Sequence, residues 1–284
     1  MTRDGIRDLA TRYRTPVKLG LSLVGAVALA WILANPGGRG TDAYAYWYWN
    51  PADPYREGFE SVGGGVAFRY APPIGLILLP GHALTFPAFL WLWTALTLGA
   101  LAWLCRSWTL AAVAIYPVLL EISVGNVHLL MAAAIVIGFR FPEAWAFALL
   151  TKITPGVGLA WFAVRREWTS LARALGFTAG VAVVSFILEP AWWSDWLAML
   201  QSDVGQSAGT SVPIPLAVRL PIAIVLVAWG GRTDRRWTVP FAAFLALPTI
   251  WPQGFAVLVG VVPMVRALAP GVTRVPVWSD APKR

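Results

Sequence analysis

A loop rich in acidic and aromatic residues follows the first apolar stretch of the chain, from Gly40 to Gly58. Its first carboxylate, Asp42, comes directly after the sequence Gly37-Gly-Arg-Gly-Thr41. A carboxylate at this place could accept a proton from a hydroxyl that attacks a sugar carbon, and partial burial against aromatic rings would raise its pKa toward the useful range. The alternatives are an ordinary surface aspartate or the N-cap of a helix that begins near Ala43.

The aromatic side chains of this loop could stack on sugar rings or form a belt at the membrane interface. The residues concerned are Tyr44, Tyr46, Trp47, Tyr48 and Trp49, and the same alternatives hold for Trp192, Trp193 and Trp196. Asp53 precedes Pro54, a pair typical of a turn, and Tyr55 follows. Glu57 and Glu60 are expected to be solvated loop charges.

Two further groups of polar residues interrupt apolar runs. Lys152 lies about ten residues into an apolar stretch, where a cation is costly and therefore a functional candidate or one half of an ion pair. Glu121, Asn126 and His128 follow one another within eight positions, and the last two could hydrogen-bond a sugar or a phosphodiester. The alternative for this group is a set of satisfied polar side chains at a junction between helices.

The composition predicts an integral membrane protein. Apolar residues make up 58% of the chain and charged residues only 13%, where soluble domains average about 25% charged. The net charge of +8 does not indicate nucleic-acid binding, because the basic residues cluster at the ends of apolar stretches. A single cysteine, Cys105, excludes an internal disulfide, and no paired-ligand spacing predicts a metal site. No cofactor is expected.

Apolar stretches predict an all-α, polytopic fold of about ten spans in one membrane domain, residues 1–284. The first span is predicted at 17–34, with both termini in the cytoplasm beside anionic lipid headgroups. The segments 35–69 and 189–212 then become extracytoplasmic loops. This count leaves Arg106 and Arg140 outside, against the positive-inside rule. Proline-broken short helices also favour a protein-lined cavity.

Five motifs in this order resemble glycosyltransferase family 87, the polyprenol-phosphate-mannose-dependent enzymes with the GT-C fold. They are Thr41-Asp-Ala-Tyr44; Asp53-Pro-Tyr55; Phe68-Arg-Tyr-Ala-Pro-Pro73 with Leu78-Leu-Pro80; Gly125-Asn-Val-His-Leu-Leu130; and Thr151-Lys-Ile-Thr-Pro155 running to Arg165-Arg-Glu-Trp168. The resemblance covers roughly residues 15–185. The chain has Asn126 and His128 where the family usually has Gln and Asn, and it is shorter than typical members.

The resemblance implies an inverting membrane transferase that moves a sugar, with mannose expected, from a polyprenyl-phosphate donor to an extracytoplasmic lipid or glycan acceptor. Asp42 matches the family's general base. Lys152, Arg69, His128 and Asn126 are then expected at the donor phosphate and lipid. Residues expected at the sugar or acceptor are Tyr44, Trp47, Asp53, Tyr55 and Glu121. Two other classes fit the same residues: a transporter or lipid flippase with an intramembrane polar path, and a non-catalytic membrane scaffold.

Overall fold

The computed structural model describes residues 3–35, 37–55, 68–202 and 212–266. Within these ranges the chain forms α-helices, short 3-10 helices and turns, without a strand. The first seven α-helices are α1 (Arg3–Ala34), α2 (Thr41–Tyr48), α3 (Pro72–Leu78), α4 (Phe86–Cys105), α5 (Thr109–Val113), α6 (Tyr116–Val124) and α7 (His128–Gly138). The other seven are α8 (Trp145–Thr151), α9 (Ala160–Val164), α10 (Trp168–Leu188), α11 (Pro190–Ser202), α12 (Leu216–Thr233), α13 (Thr238–Leu245) and α14 (Val261–Arg266).

Four helical segments among the described residues are long and apolar enough to cross a membrane: Tyr13–Ala34, Phe86–Val113, Trp168–Leu188 and Leu216–Thr233. A fifth is obtained if α6 and α7, which bend by 107° at their junction, count as one broken span. The all-α membrane class is therefore confirmed, whereas the helix lengths do not support about ten full spans. Only 11% of the first and third segments is buried, so these two helices lie at the periphery.

The remaining apolar stretches are short because prolines and glycines break them. The helix α6 ends at Gly125, whose φ of 74° lies in the left-handed region that ends many helices. Pro155 lies in the first turn of a 3-10 helix, Thr154–Leu159, that leads into α9. Broken helices leave backbone groups unpaired, and other protein segments must cover them within a bilayer.

The sequence predicts the apolar stretch near 72–86 as one of the ten spans, but this stretch does not cross from one end of the molecule to the other. The side chain of Trp47 donates to the carbonyl of Leu84 at 2.9 Å, so this segment stays beside α2. The helix α4 starts beside α2 and ends at Arg106. Arg106 lies close enough to Arg266 for their charges to interact, and Arg14 of α1 is also close enough to interact with Arg266. The predicted position of Arg106 at the end opposite the N-terminal basic cluster is therefore wrong.

Arg140 belongs to the same end of the molecule as Arg106. The start of α7 at His128 lies by Gly254, and Ala132 lies by Gly260, so α7 runs beside the segment 252–266 toward Arg266, the neighbour of Arg106. The guanidinium of Arg236, from the basic cluster after α12, lies 5.6 Å from the ring of Phe139, directly beside Arg140. We call this the basic end, and the opposite end, which carries α2, the site end. Both arginines therefore lie with other basic residues, an arrangement that agrees with the positive-inside rule.

Two hydrophobic clusters fill the interior. The larger one joins α7, α13 and the 3-10 helix Pro252–Gly260, and it includes the fully buried Trp145 and Trp161. The smaller one is aromatic and lies at the site end, where Trp49, Phe68 and Trp192 meet under α2. This aromatic cluster is the support on which the site helix α2 rests.

Both predicted outer loops contain helix. The segment 35–69 includes α2, and the segment 189–212, predicted as a loop, begins with the 13-residue helix α11. Residues 56–67, with Glu57 and Glu60, and residues 203–211 lie outside the described residues. The same holds for Arg274, Lys283 and Arg284 of the last basic cluster.

Candidate active site

Asp42 and Asn126, from distant parts of the chain, meet at the site end. The side-chain amide of Asn126 donates to Oδ2 of Asp42 at 2.5 Å. The other end of the same amide accepts a hydrogen bond from the Val127 N–H at 2.7 Å, which fixes the direction in which the Asn126 NH₂ points. Asp42 is in the first turn of α2 and only half-buried, so its carboxylate is both oriented and reachable.

The turn that carries Asn126 is held from both sides. The carbonyl of Ser123 accepts the N–H of Gly40 at 2.7 Å and so ties the start of α2 to α6. The carbonyl of Gly125 accepts the indole N–H of Trp93 at 2.7 Å. A Cβ on Gly125 would lie 2.8 Å from the Cβ of Ala43, so only glycine lets α2 approach this closely.

Glu121, predicted at the sugar or acceptor, is instead enclosed and supports the start of α7. Its side chain is fully buried, with Oε1 accepting from the backbone N–H groups of His128 and Leu129 at 2.5 and 3.3 Å. Its Oε2 lies 2.9 Å from Nδ1 of His128. The first N–H groups of a helix lack partners within the helix, and this carboxylate supplies them.

His128 is also enclosed, with 2% of its surface exposed. Its Nε2 is buried and has no hydrogen-bond partner among the described residues, and it lies 3.9 Å from the position that a Cβ on Gly254 would occupy. Both residues therefore act on the site through electrostatics and through the turn at 125–128. Neither side chain reaches the protein surface.

Lys152 directly follows α8, and it is close enough to Asp42 for their charges to interact. Its ammonium attracts the carboxylates of Asp42 and Glu121 and is repelled by Arg69. The 69–71 segment is held beside it by a hydrogen bond from the Ala71 N–H to the Leu150 carbonyl at 2.9 Å. Lys152 is half-buried, and its ammonium makes no hydrogen bond or ion pair with any part of the described chain, so its three N–H donors can bind a ligand.

The environment raises the pKa of Asp42 above its usual range. Burial is the main cause, and the negative charge of Glu121 adds to it. The hydrogen bond from Asn126 opposes this shift, as do the charges of Lys152 and His128. A carboxylate that is desolvated yet still stabilised as an anion by an amide donor has the properties of a general base.

Tyr46 and Tyr70 form a second polar pair near Asp42, and the sequence analysis did not assign them to the site. Their hydroxyl groups lie 2.6 Å apart, both are buried, and both interact electrostatically with Asp42. The spacing contained the signal, because residues four apart share one face of a helix and Tyr46 follows Asp42 by four positions.

Tyr44 and Trp47 lie on a different face of α2 from Asp42. The ring of Tyr44 packs edge-on against Phe86 at 4.9 Å, and that of Trp47 lies 5.5 Å from the same ring. At 100° per residue, Tyr44 is about 200° around the helix from Asp42. These two predicted sugar-binding residues are half-buried against the start of α4 and are not brought together with the carboxylate.

Asp53 and Tyr55 lie in the segment that α11 covers. The Asp53 N–H donates to the Asn50 carbonyl at 3.1 Å, as expected of a turn. The hydroxyl of Tyr55 donates to the Tyr70 carbonyl at 2.8 Å. The indoles of Trp192 and Trp196 donate to the carbonyls of Pro51 and Arg69 at 3.1 and 3.3 Å. The tryptophans of α11 thus brace the backbone around the site.

Two buried arginines were missed. Arg219 carries the same signal as Lys152, a cation inside an apolar stretch, whereas nothing in the polar segment around Arg39 distinguishes it. Arg39, 7% exposed, donates to the Thr94 hydroxyl at 3.1 Å. Arg219, 4% exposed, donates to the carbonyls of Ile214, Leu245, Leu247 and Pro248 and so holds the end of α13. No cluster of potential metal ligands occurs in the ranges that the structure describes.

Comparison with known proteins gives one match. The model of glycosyltransferase family 87 matches residues 68–275, a range that includes Arg69, Asn126, His128 and Lys152 and begins after Asp42. No curated protein and no solved structure matches the chain. Because the match covers well over half of the sequence, and the resemblance in its motifs points the same way, the chain belongs to glycosyltransferase family 87 and is a membrane glycosyltransferase.

Proposed function

We propose that this enzyme transfers a sugar, with mannose expected, from a polyprenyl-phosphate donor to a lipid or glycan acceptor outside the cytoplasm. In this scheme Asp42 is the general base and the reaction inverts the anomeric centre. The observation that carries the proposal is the Asp42–Asn126 hydrogen bond near the ammonium of Lys152, which has no ion-pair partner in the described part of the chain. In a displacement reaction the base can accept the proton of the attacking hydroxyl, and the cation can stabilise the leaving group.

The proton moves to Asp42 in this reaction. An acceptor hydroxyl attacks the anomeric carbon, the bond from that carbon to the phosphate oxygen breaks, and the hydroxyl proton passes to the carboxylate. Burial raises the pKa of Asp42, which strengthens it as a base, while the Asn126 amide holds the reacting oxygens in one direction. A positioned carboxylate of this kind contributes about 10²–10⁴-fold to rate.

The leaving phosphate is an anion and needs cations rather than an acid. The three donors of the Lys152 ammonium have no partner among the described residues, and Arg69, also half-buried, is close enough for its charge to act on Lys152. Two cations held at a fixed place stabilise charge that develops on the leaving group without reorganisation during the step. This assigns the donor phosphate to Lys152 and Arg69 rather than to the enclosed His128.

The position of the site in the membrane supports a lipid-linked donor. Asp42 lies at the end of the molecule opposite the basic clusters, which the positive-inside rule assigns to the cytoplasm. Nucleotide sugars are confined to the cytoplasm, so a transferase acting on the other side needs a donor carried by lipid. No metal ion is needed in this scheme, since Lys152 and Arg69 supply the positive charge.

The test is transfer of radiolabelled mannose from polyprenyl-phosphate-mannose in membranes that contain wild type or Asp42→Asn. We expect transfer by the wild type and a loss of about a hundredfold or more in the variant. Asp234→Asn is the matched control, because Asp234 is exposed at the basic end and its left-handed backbone accepts asparagine. Equal transfer by Asp42→Asn and wild type would remove Asp42 from the mechanism.

A further inference from the structure

The basic end carries a group of cations that sequence order does not reveal. Arg14 and Lys18, one turn apart on α1, lie 6.0 and 5.7 Å from the ring of Trp108. Arg106 is two residues before that tryptophan, and Arg266 at the end of α14 interacts with the charges of Arg14 and Arg106. Three segments far apart in sequence therefore converge here; we call the four cations with Trp108 the basic patch.

These cations lack counter-charges in the part of the chain that the structure describes. The ion pairs there involve Glu121, Glu143, Glu167 and Asp234, and none includes a residue of the basic patch. The charges acting on Arg266 from Arg14 and Arg106 are repulsive. Like charges held together without a carboxylate favour binding of an anion from outside the chain.

The backbone at Arg106, in the basic patch, is strained. Its φ and ψ are 56° and −126°, outside the left-handed helical region that other non-glycine residues such as Asp234 occupy. L-residues avoid this conformation, and such strain persists where the surroundings impose it, often at binding sites. Arg106 therefore points to a fixed role for this cation.

The surface that continues from the basic patch is apolar. Val17, Leu19 and Leu21 flank Lys18 on α1 and are 51%, 65% and 40% exposed, and Leu110 of α5 is 41% exposed. A ligand here meets positive charge at the end of the membrane span and hydrocarbon immediately beside it. That combination matches a lipid with an anionic headgroup better than a soluble anion, and half-buried Trp108 has the interfacial position that tryptophan favours.

We infer that the basic patch is a binding site for the phosphate headgroup of an anionic phospholipid, separate from the site at Asp42. The headgroup lies among Arg14, Arg106 and Arg266, and Lys18 with Trp108 closes the side toward α1. The acyl chains lie along the exposed apolar face of α1. This site ties the peripheral helix α1 to α4 and α14 through a lipid.

The experiment measures phosphatidylglycerol binding to purified protein in phosphatidylcholine nanodiscs by native mass spectrometry. The double variant Arg106→Gln/Arg266→Gln should bind this lipid about 25-fold more weakly, roughly fivefold for each charge removed. Arg173→Gln is the control at the same end, since Arg173 already pairs with Glu143 at 2.7 Å. It should bind like the wild type, and Arg106→Lys with intact Arg266 should retain most of the binding.

Three results would overturn the inference. One is binding by the double variant within twofold of wild type, and another is an equal loss in Arg173→Gln. The third is displacement of phosphatidylglycerol by inorganic phosphate at equal concentration, which would indicate a site for soluble anions. If the double variant does not fold, Arg14→Gln/Lys18→Gln replaces it, because these side chains are on the peripheral helix and contact only Trp108 among the described aromatic rings.

Discussion

The amide of Asn126 donates to the carboxylate of Asp42 at 2.5 Å across 84 positions of sequence. This contact joins the helix that carries the base to the break between α6 and α7. The orientation of the base therefore depends on the residues that fix this break, among them Glu121 and Gly125.

The transfer rate should fall on the acid side of the pH–rate profile, the acid limb, at a pH above the usual pKa of an aspartate. Asp42 must be ionised to accept a proton, so the rate falls as pH falls through its pKa, and burial raises that pKa. The Asn126 hydrogen bond lowers the pKa, so Asn126→Ala should move the limb to still higher pH. Profiles of transfer rate against pH for the two proteins decide this. An unmoved limb in Asn126→Ala would mean that Asp42 is not the titrating group.

Asp42→Asn should not lower the stability of the protein near neutral pH. Since the folded pKa of Asp42 lies above its unfolded value, ionisation of this group disfavours the folded state, and the penalty disappears as pH falls through the folded pKa. Asparagine avoids the penalty and can still accept from Asn126. Thermal unfolding in detergent should give a temperature equal to or above that of wild type at pH 7.5, with a smaller difference at pH 5. A clearly lower unfolding temperature for Asp42→Asn would contradict the idea that Asp42 is kept for function at the expense of stability.

Lys152→Met should lower the rate of transfer by about a hundredfold or more, because it removes the charge assigned to the leaving phosphate. The fall should appear in kcat with donor in excess, since stabilisation of developing charge acts in the transition state. Arg232→Met provides the control, as Arg232 is exposed at the basic end. A change confined to KM would instead assign Lys152 to ground-state binding of the donor.

Glu121→Gln should destabilise the fold, by about 3 kcal/mol if the glutamine leaves His128 or the start of α7 unpaired. The carboxylate serves three donors with two oxygens, and glutamine offers only one acceptor oxygen. Chemical or thermal unfolding in detergent measures the loss. Glu143→Gln, at a partly exposed ion pair with Arg173, should change the stability little.

Gly125→Ala should lower both stability and activity. Its φ of 74° disfavours alanine, and the new Cβ would lie 2.8 Å from Ala43, on the helix that carries Asp42. We expect a cost of about 1–2 kcal/mol together with a lower transfer rate. The control is Gly99→Ala within α4, where a Cβ meets nothing within 4 Å and alanine should stabilise by up to about 1 kcal/mol. Wild-type transfer by Gly125→Ala would show that the close approach is not required.

The sequence identified most of the individual residues of the site, but it did not predict how they are arranged in space. Asp42, Asn126 and Lys152 each stood out because polar groups are rare in an apolar chain and costly there. Their meeting was not visible, since it depends on the 107° bend between α6 and α7 and on the short helix α8 that ends at Lys152. Glu121 is the opposite case. Its residue type suggested that it contacts a substrate, but its side chain is buried and accepts hydrogen bonds from the backbone of α7.

Composition and hydropathy alone determined that this protein is an all-α membrane protein, because long apolar segments have no other stable environment than lipid or a helical core. Motif order likewise indicated the family. Tertiary structure decided which apolar segments are continuous helices, which end Arg106 occupies, and which face of α2 carries Asp42. The reason is that these features depend on contacts between segments distant in sequence, such as Gly40 with Ser123 and Arg14 with Trp108, which local patterns do not encode.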